Sequence, residues 1–485
     1  MVKQIITAVF IDFSCNIFDK HHVYSLGSYL NGKGVNVQYI NENTFKKTIE
    51  RIKELKPDLL LYSAFATDAQ IYFKFDKIVK RHSKVKSIMG GAGPTFDFNY
   101  SEKSTIDALC VGEGELALYE YIESGFSSGK NIILNGEKMP KEFHRFIDLD
   151  SIPIPDRSIV YEKDRVLKYM TTKQFMVGRG CPYHCTYCHN NAFNRMFKES
   201  GKIVRRKSVD YVIEEIRYTL KKYPFRNIMF HDDTFLADKK WFYEFNERFP
   251  REVGISYSIL GRANNIDEAT AQALSDSGCI YVSWSIECAN DDLRNNVLKR
   301  NMSKEQIVNA GRLLNKYKVP HKVGNMLGLP GETLGDMFET LKLNIDLRPN
   351  ISLATIFQPY PGLEITQYAL DNNYVTREAL DNLPSDYFTS TVLNYTSAEK
   401  DRISRLAWLF PTIVDFPFLF RNKFIFNALL TFPVPKSIIR IFYETYYLIK
   451  YARQFKVKTP LYISWLVFKR HIRERLRLHK PDKNY

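Results

Sequence analysis

Short apolar runs alternate with stretches of helical period along the first 135 residues. The runs near 5–11, 35–40, 58–63, 86–90 and 106–111 predict strands, and the amphipathic spacing at 45–55 and 70–81 predicts helices between them. Runs apolar at every position read as strands buried on both faces. Repeated strand-helix units then predict a doubly wound, Rossmann-like parallel sheet with right-handed crossovers. From 131 to 168 periodicity fades among Pro140, Pro153, Pro155 and scattered charges, which predicts an extended linker. Six more strand-helix units follow, with strands near 174–177, 227–230, 255–260, 280–286, 321–327 and 353–358. Val209, Val212, Ile213, Ile216 and Leu220 mark one of the helices between them. Six units rather than eight predict a partial (β/α)6 barrel of TIM type, open at its mouth, with reactive groups at the carboxyl ends of its strands. Beyond Tyr374 the pattern is mainly helical. The expected divisions are 1–135, 136–168, 169–375 and 376–485.

Composition adds a compartment and removes a partner. The 485 residues are 45% hydrophobic and 25% charged, a globular chain long enough for about three domains. The net charge of +15 is concentrated at one end: from Arg421 onward there are 15 Lys and Arg against 3 Asp and Glu. No basic groove crosses the body, and no nucleic-acid partner is expected. The apolar stretch 406–420 is too short, and too broken by two prolines and Asp415, to span a bilayer, so it should pack on the barrel or line its mouth. Segments 438–451 and 461–478 set aromatics and leucines among Lys and Arg. That composition suits peripheral contact with an anionic membrane, and equally a solvated basic helix face. Cys15, Cys110, Cys279 and Cys288 stand singly, as buried small hydrophobes do, and no secretory peptide is read at the start. A reducing cytoplasm is the expected location, with the inner face of the membrane as the peripheral variant.

The candidate chemistry lies in Gly178-Arg-Gly-Cys181-Pro-Tyr-His-Cys185-Thr-Tyr-Cys188-His-Asn. Three thiolates in CxxxCxxC spacing after a strand and a glycine turn suit an iron-sulfur cubane with one iron left open. Zinc is the alternative, with His184 or His189 as the fourth ligand. The expected ends of the first sheet carry Ser63-Ala-Phe65, Gly90-Gly91-Ala-Gly93-Pro94 and Gly112-Glu113-Gly-Glu115. Such loops can approach a flat cofactor or a phosphate closely, or can simply be tight turns.

At its cysteines the chain resembles the radical S-adenosylmethionine (SAM) superfamily, Tyr187 standing at the aromatic position before the third cysteine. The resemblance implies that a 4Fe-4S cluster on Cys181, Cys185 and Cys188 binds SAM and cleaves it by one electron to methionine and a 5′-deoxyadenosyl radical. An electron donor such as flavodoxin or ferredoxin is implied with it. Asp232, Asp233 and Thr234 occupy the position that holds the SAM amino group, although two aspartates could instead cap the next helix. Glu287 resembles the acidic residue on the ribose. Arg300 matches the basic residue for the SAM carboxylate; a helix-surface charge is the plain alternative, and Lys299 is a near competitor. Gly328-Leu-Pro-Gly331-Glu-Thr333 resembles the turn beside the adenine, and Tyr360-Pro-Gly362 the closing segment.

The strand-end loops of the first sheet resemble a cobalamin-binding domain. Ser63-Ala-Phe65 and Gly90-Gly91 stand for its SxL and GG motifs, and Gly112-Glu113-Gly-Glu115 for the segment that closes it. The DxHxxG motif departs, since Asp19-Lys-His21-His22-Val-Tyr24 has tyrosine for glycine. His21 is the candidate lower cobalt ligand or a surface histidine at a helix start, and base-off cobalamin is expected. Together the resemblances cover about residues 1–375 and imply a cobalamin-dependent methyltransferase acting on an unactivated carbon. Non-methylating radical chemistry (ring formation, rearrangement or coupling) and a non-catalytic iron-sulfur or cobalamin protein are the alternatives. A tRNA methylthiotransferase is disfavoured, because the first 135 residues lack a second cysteine set. Aromatic residues near the barrel exit and the apolar tail favour a hydrophobic, lipid-like small substrate.

Overall fold

The computed structural model describes residues 5–454 except 15, 66, 98, 141, 385 and 386, together with 465–467, 469 and 470. It divides into two compact units, one of 1–179, 193–225 and 459–485, the other of 180–192 and 226–458.

In the first unit, strands Asn36–Ile40, Thr7–Ile11, Leu59–Ser63, Lys86–Gly90 and Ala108–Cys110 lie side by side in that order, all parallel. The chain starts in the middle and reverses direction across the sheet at Thr7–Ile11. Sheets of this kind open a ligand crevice beyond the carboxyl ends at that reversal, beside Ser63. Alternate residues feed two cores: Ala8, Phe10, Leu59 and Leu61 one face, Val9, Ile11, Leu60 and Tyr62 the other. Two-sided burial is why Thr7–Ile11 and Leu59–Ser63 are apolar at almost every position. The predicted helices form as Phe45–Leu55, capped by Thr44, and Ala69–His82.

Two expectations for this unit change. An edge strand, Ile132–Leu134, pairs antiparallel with Ala108–Cys110. The segment expected as a linker is instead part of the fold: it forms short helices Ser158–Tyr161 and Arg165–Tyr169, and Val160, Tyr161 and Leu167 join the core. Its prolines break periodicity locally without freeing the chain.

The second unit places Asn227–Phe230, Ser256–Leu260, Cys279–Glu287, His321–Leu327 and Ile351–Ile356 side by side in chain order, each parallel to the next. Helices Lys304–Lys316, Leu334–Leu347 and Ser397–Asp415 each begin with a reciprocal capping box. Most of the apolar 406–420 stretch lies in Ser397–Asp415 and packs against Leu327, Met337, Leu341 and Ile356, so it covers the sheet. Among the described residues no single helix is long and apolar enough to cross a membrane. The pair Lys423–Thr431 and Lys436–Lys450 meets the length and composition test only together, across a 115° bend. Cys15 and most of 461–478 lie outside the described residues.

Candidate active site

The cysteine loop is pinned at its middle. The Thr186 amide donates to the Leu298 carbonyl (3.1 Å), its hydroxyl to the Val297 carbonyl (2.7 Å), and the Ile365 amide donates back to Thr186 (3.2 Å). Cys181 and Cys185 are buried and Cys188 half-buried. Burial pushes the Cys181 thiol up to about 12, and the charges of Cys188, Asp233 and Cys185 add to the rise; burial raises Cys188 as well. Among the described residues, no three His, Cys, Asp or Glu side chains close on a single-ion point. A soft, threefold thiol set, two of its members buried, fits a cluster, whose iron would convert these thiols to thiolates.

Beside it, the loop's Tyr187 meets the end of the strand Cys279–Glu287 and Arg300 from the segment that follows that strand. Tyr187 donates to Glu287 (3.0 Å), while Arg300 donates to the Tyr187 hydroxyl, to Glu287 (3.2 Å) and to the Ser285 carbonyl (2.6 Å). Glu287 ends its strand at a register shift, with φ of +71°, a left-handed conformation that a non-glycine residue adopts only when its surroundings hold it there. Arg300 is buried, whereas Lys299 lies at the surface against Glu364. Asp232 and Thr234 are buried and Asp233 exposed; the next helix is capped by Asp238, so neither Asp232 nor Asp233 serves as its cap. In the Gly328–Thr333 turn Glu332 is buried, and burial pushes its carboxyl up to about 8 although the Leu329 amide donates to it.

In the first unit the three glycine loops are tied together. The Gly93 amide donates to Ala64, the Ala64 amide to Gly90, and the Gly112 amide to the Thr95 hydroxyl. Gly91 has φ of +101°, and a Cβ there would stand 2.7 Å from the Ala64 carbonyl oxygen; one on Gly112 would stand 2.6 Å from the Phe197 ring. Both glycines are thus tight turns, and their packing leaves an edge on which Ser63 is half-buried and Phe65 is 67% exposed. An open edge at the strand reversal, with the exposed Phe65 ring on it, fits a large flat ligand.

Three residues of the sequence motifs are engaged within the chain. Glu113 pairs with Arg179 (3.1 Å) and Arg205, and Glu115 with Arg179 (2.6 Å) and Ser25 (2.8 Å). The acidic motif thus grips the arginine two positions before Cys181. Asp19, from the altered motif, accepts from Tyr24 (2.7 Å), Tyr161 (2.7 Å) and the Gln174 amide (2.8 Å) and pairs with Arg157 (3.3 Å), all buried. Tyr24 fills the glycine position because its hydroxyl completes this network. His21 opens the helix His21–Gly32, half-buried, its ring edge-on to Tyr24. Sequence reasoning missed Arg179, Arg157 and Arg262. Arg262, two residues past the strand Ser256–Leu260, donates to Cys185 Sγ (3.5 Å); its place at a strand's carboxyl end was the available signal.

A B12 binding domain model matches residues 21–122 and a Radical SAM superfamily model residues 175–343. An uncharacterized methyltransferase of Pyrococcus horikoshii, PH0819, is 30% identical over 348 residues, 68% of this chain and 73% of its own. Anaerobic magnesium-protoporphyrin IX monomethyl ester cyclase of Rubrivivax gelatinosus is 26% identical over 66% of this chain and 59% of its own. Among solved structures, the radical SAM methyltransferase TsrM of Kitasatospora setae, with cobalamin and a 4Fe-4S cluster bound, shares the fold. Its TM-score is 0.62 at 15% identity, over 77% of this chain and 79% of that one. The chain accordingly belongs to the radical SAM superfamily, in the group that carries a B12 binding domain ahead of the radical SAM domain, and its cofactors are a 4Fe-4S cluster, SAM and cobalamin.

Proposed function

We propose that this enzyme transfers a methyl group to an unactivated carbon of a hydrophobic small molecule. The observation that carries the reading is the pairing, in one chain, of the Cys181, Cys185, Cys188 set and its Tyr187, Glu287, Arg300 neighbours with a corrin-type sheet open at its reversal point. The name of the Pyrococcus relative supports it. When bound, the cluster supplies the electron that cleaves SAM, and the corrin carries the methyl group. The chain's own part is to exclude water from the thiols and to present Glu287 and Arg300, held by Tyr187, to a ribose and a carboxylate. Asp232, Asp233 and Thr234 are assigned to the amino group, and Ser63, Gly90 and Gly91 to the corrin edge.

Anaerobic reconstitution with iron, sulfide and hydroxocobalamin, followed by product analysis, tests the proposal. Iron near four per chain, bound cobalt, and both S-adenosylhomocysteine and 5′-deoxyadenosine in each turnover are expected. Deoxyadenosine alone would favour a non-methylating reaction, the reading that the Rubrivivax cyclase supports. Flavodoxin or ferredoxin is assigned as the reductant.

A hydrophobic substrate and peripheral membrane contact are supported by the run of exposed Phe416, Phe418, Phe424, Phe432, Ile438 and Ile441 in a region of net positive charge. Flotation with anionic vesicles at low salt checks the contact, and absence of co-flotation excludes it.

A further inference from the structure

Arg262 is 5% exposed, and among the described residues no carboxylate pairs with it. A buried guanidinium without a counter-charge is expensive, so its surroundings should supply one. What surrounds it is the cysteine loop. Its Nη1 donates to Cys185 Sγ at 3.5 Å, its guanidinium carbon stands 3.8 Å over the Tyr183 ring, and its Nε donates to Asn264 Oδ1 at 2.8 Å. Tyr183 is in turn held by its hydroxyl's bond to Asn265. The fork is thus fixed on two sides, by a ring and an amide, and aimed at one cluster ligand on the third.

We propose that Arg262 is a positioning residue for the cluster, which holds the Cys185 thiolate and raises the reduction potential of the cubane it ligates. A cluster on three thiolates gains one negative charge when reduced, with no bond made or broken in the protein. A fixed cation with an N–H donor on a ligand sulfur favours the more negative form, and hydrogen bonds to sulfur are among the levers that set such potentials. The inference rests on the cluster assignment and is independent of what the substrate radical goes on to do.

The test is a potentiometric titration of the reconstituted enzyme without SAM, followed by electron paramagnetic resonance, with iron content measured alongside. In Arg262→Gln the ratio of reduced to oxidised cluster at a fixed poise should fall by about tenfold, a midpoint shift of about 59 mV to lower potential for one electron. Arg262→Lys, which keeps the charge and loses the fork, should fall between. Asn264→Ala, which frees the guanidinium without touching sulfur, should shift the potential in the same direction by less. An unchanged SAM-free potential in Arg262→Gln, with weaker SAM binding, would overturn the proposal and make Arg262 a SAM ligand. If Arg262→Gln assembles no cluster, the other two variants decide: wild-type potentials in both overturn it. Low iron in the wild type itself would instead indict the cluster assignment.

Discussion

Glu115 offers the sharpest check on how the first unit holds Arg179. Its side chain is 3% exposed and accepts from both terminal nitrogens of Arg179 (2.6 and 3.2 Å) and from Ser25. Burial alone would raise its pKa, but the Arg179 charge and these hydrogen bonds outweigh burial and bring it to about 2, from an ordinary 4.5. At 1.36 kcal/mol per unit, the ionised form contributes about 3 kcal/mol to the folded state. Glu115→Gln removes that charge. Because Glu113 still pairs with Arg179 at 3.1 Å, the loss should sit at the low end of the roughly 3–5 kcal/mol seen when a buried pair is broken. A depressed carboxylate pKa gives stability that is complete above about 4.5 and lost as pH falls toward 2. The difference between wild type and variant should therefore be full at pH 7 and less than half as large at pH 3. Amide hydrogen exchange of helix Glu115–Glu123 reads it locally, so cooperative unfolding of the whole chain is not required. A difference under about 1 kcal/mol at pH 7, or one that persists unchanged at pH 3, would refute the Arg179 latch.

Other substitutions probe the remaining devices. Cys185→Ala should abolish SAM cleavage while the circular dichroism of the sheet is retained; residual cleavage in an assay for 5′-deoxyadenosine would sink the cluster assignment. Asp19→Ala leaves Arg157 buried without its partner and should lower stability by about 3–5 kcal/mol, much of it recovered by adding Arg157→Met, as read by urea denaturation. Gly91→Ala forces a side chain into the left-handed region against the Ala64 carbonyl and should destabilise by about 1–3 kcal/mol and lower cobalt retained after desalting; full retention would show that the turn does not shape the corrin edge. Tyr187→Phe should weaken SAM binding by roughly tenfold with iron content unchanged, since Glu287 and Arg300 lose the hydroxyl between them.

What the sequence made legible and what it hid differ by the range of the interaction. Strands buried on both faces announce themselves through nearly unbroken apolar runs, so Thr7–Ile11 and Leu59–Ser63 stand where predicted. The strand Ile132–Leu134, on the edge and beside a proline-bearing segment, offers an apolar run of only three residues, too short to read as a strand. CxxxCxxC is legible because its spacing is local, and the expected neighbours Tyr187, Glu287 and Arg300 lie in contact because the cysteine loop is folded against the end of the strand Cys279–Glu287. Carboxylates are different: nothing in Gly112-Glu-Gly-Glu115 reveals that an arginine 64 residues later will claim Glu115. Nor does a tyrosine in a glycine position reveal that its hydroxyl will meet Asp19 from inside the core. A charged or polar residue in a motif is fitted either to a ligand or to a partner within the chain, and its identity alone cannot distinguish the two. That is why the motif alone could not announce that Glu113 pairs with Arg179 and Arg205, and why Arg262, in no motif at all, is the cation that reaches Cys185.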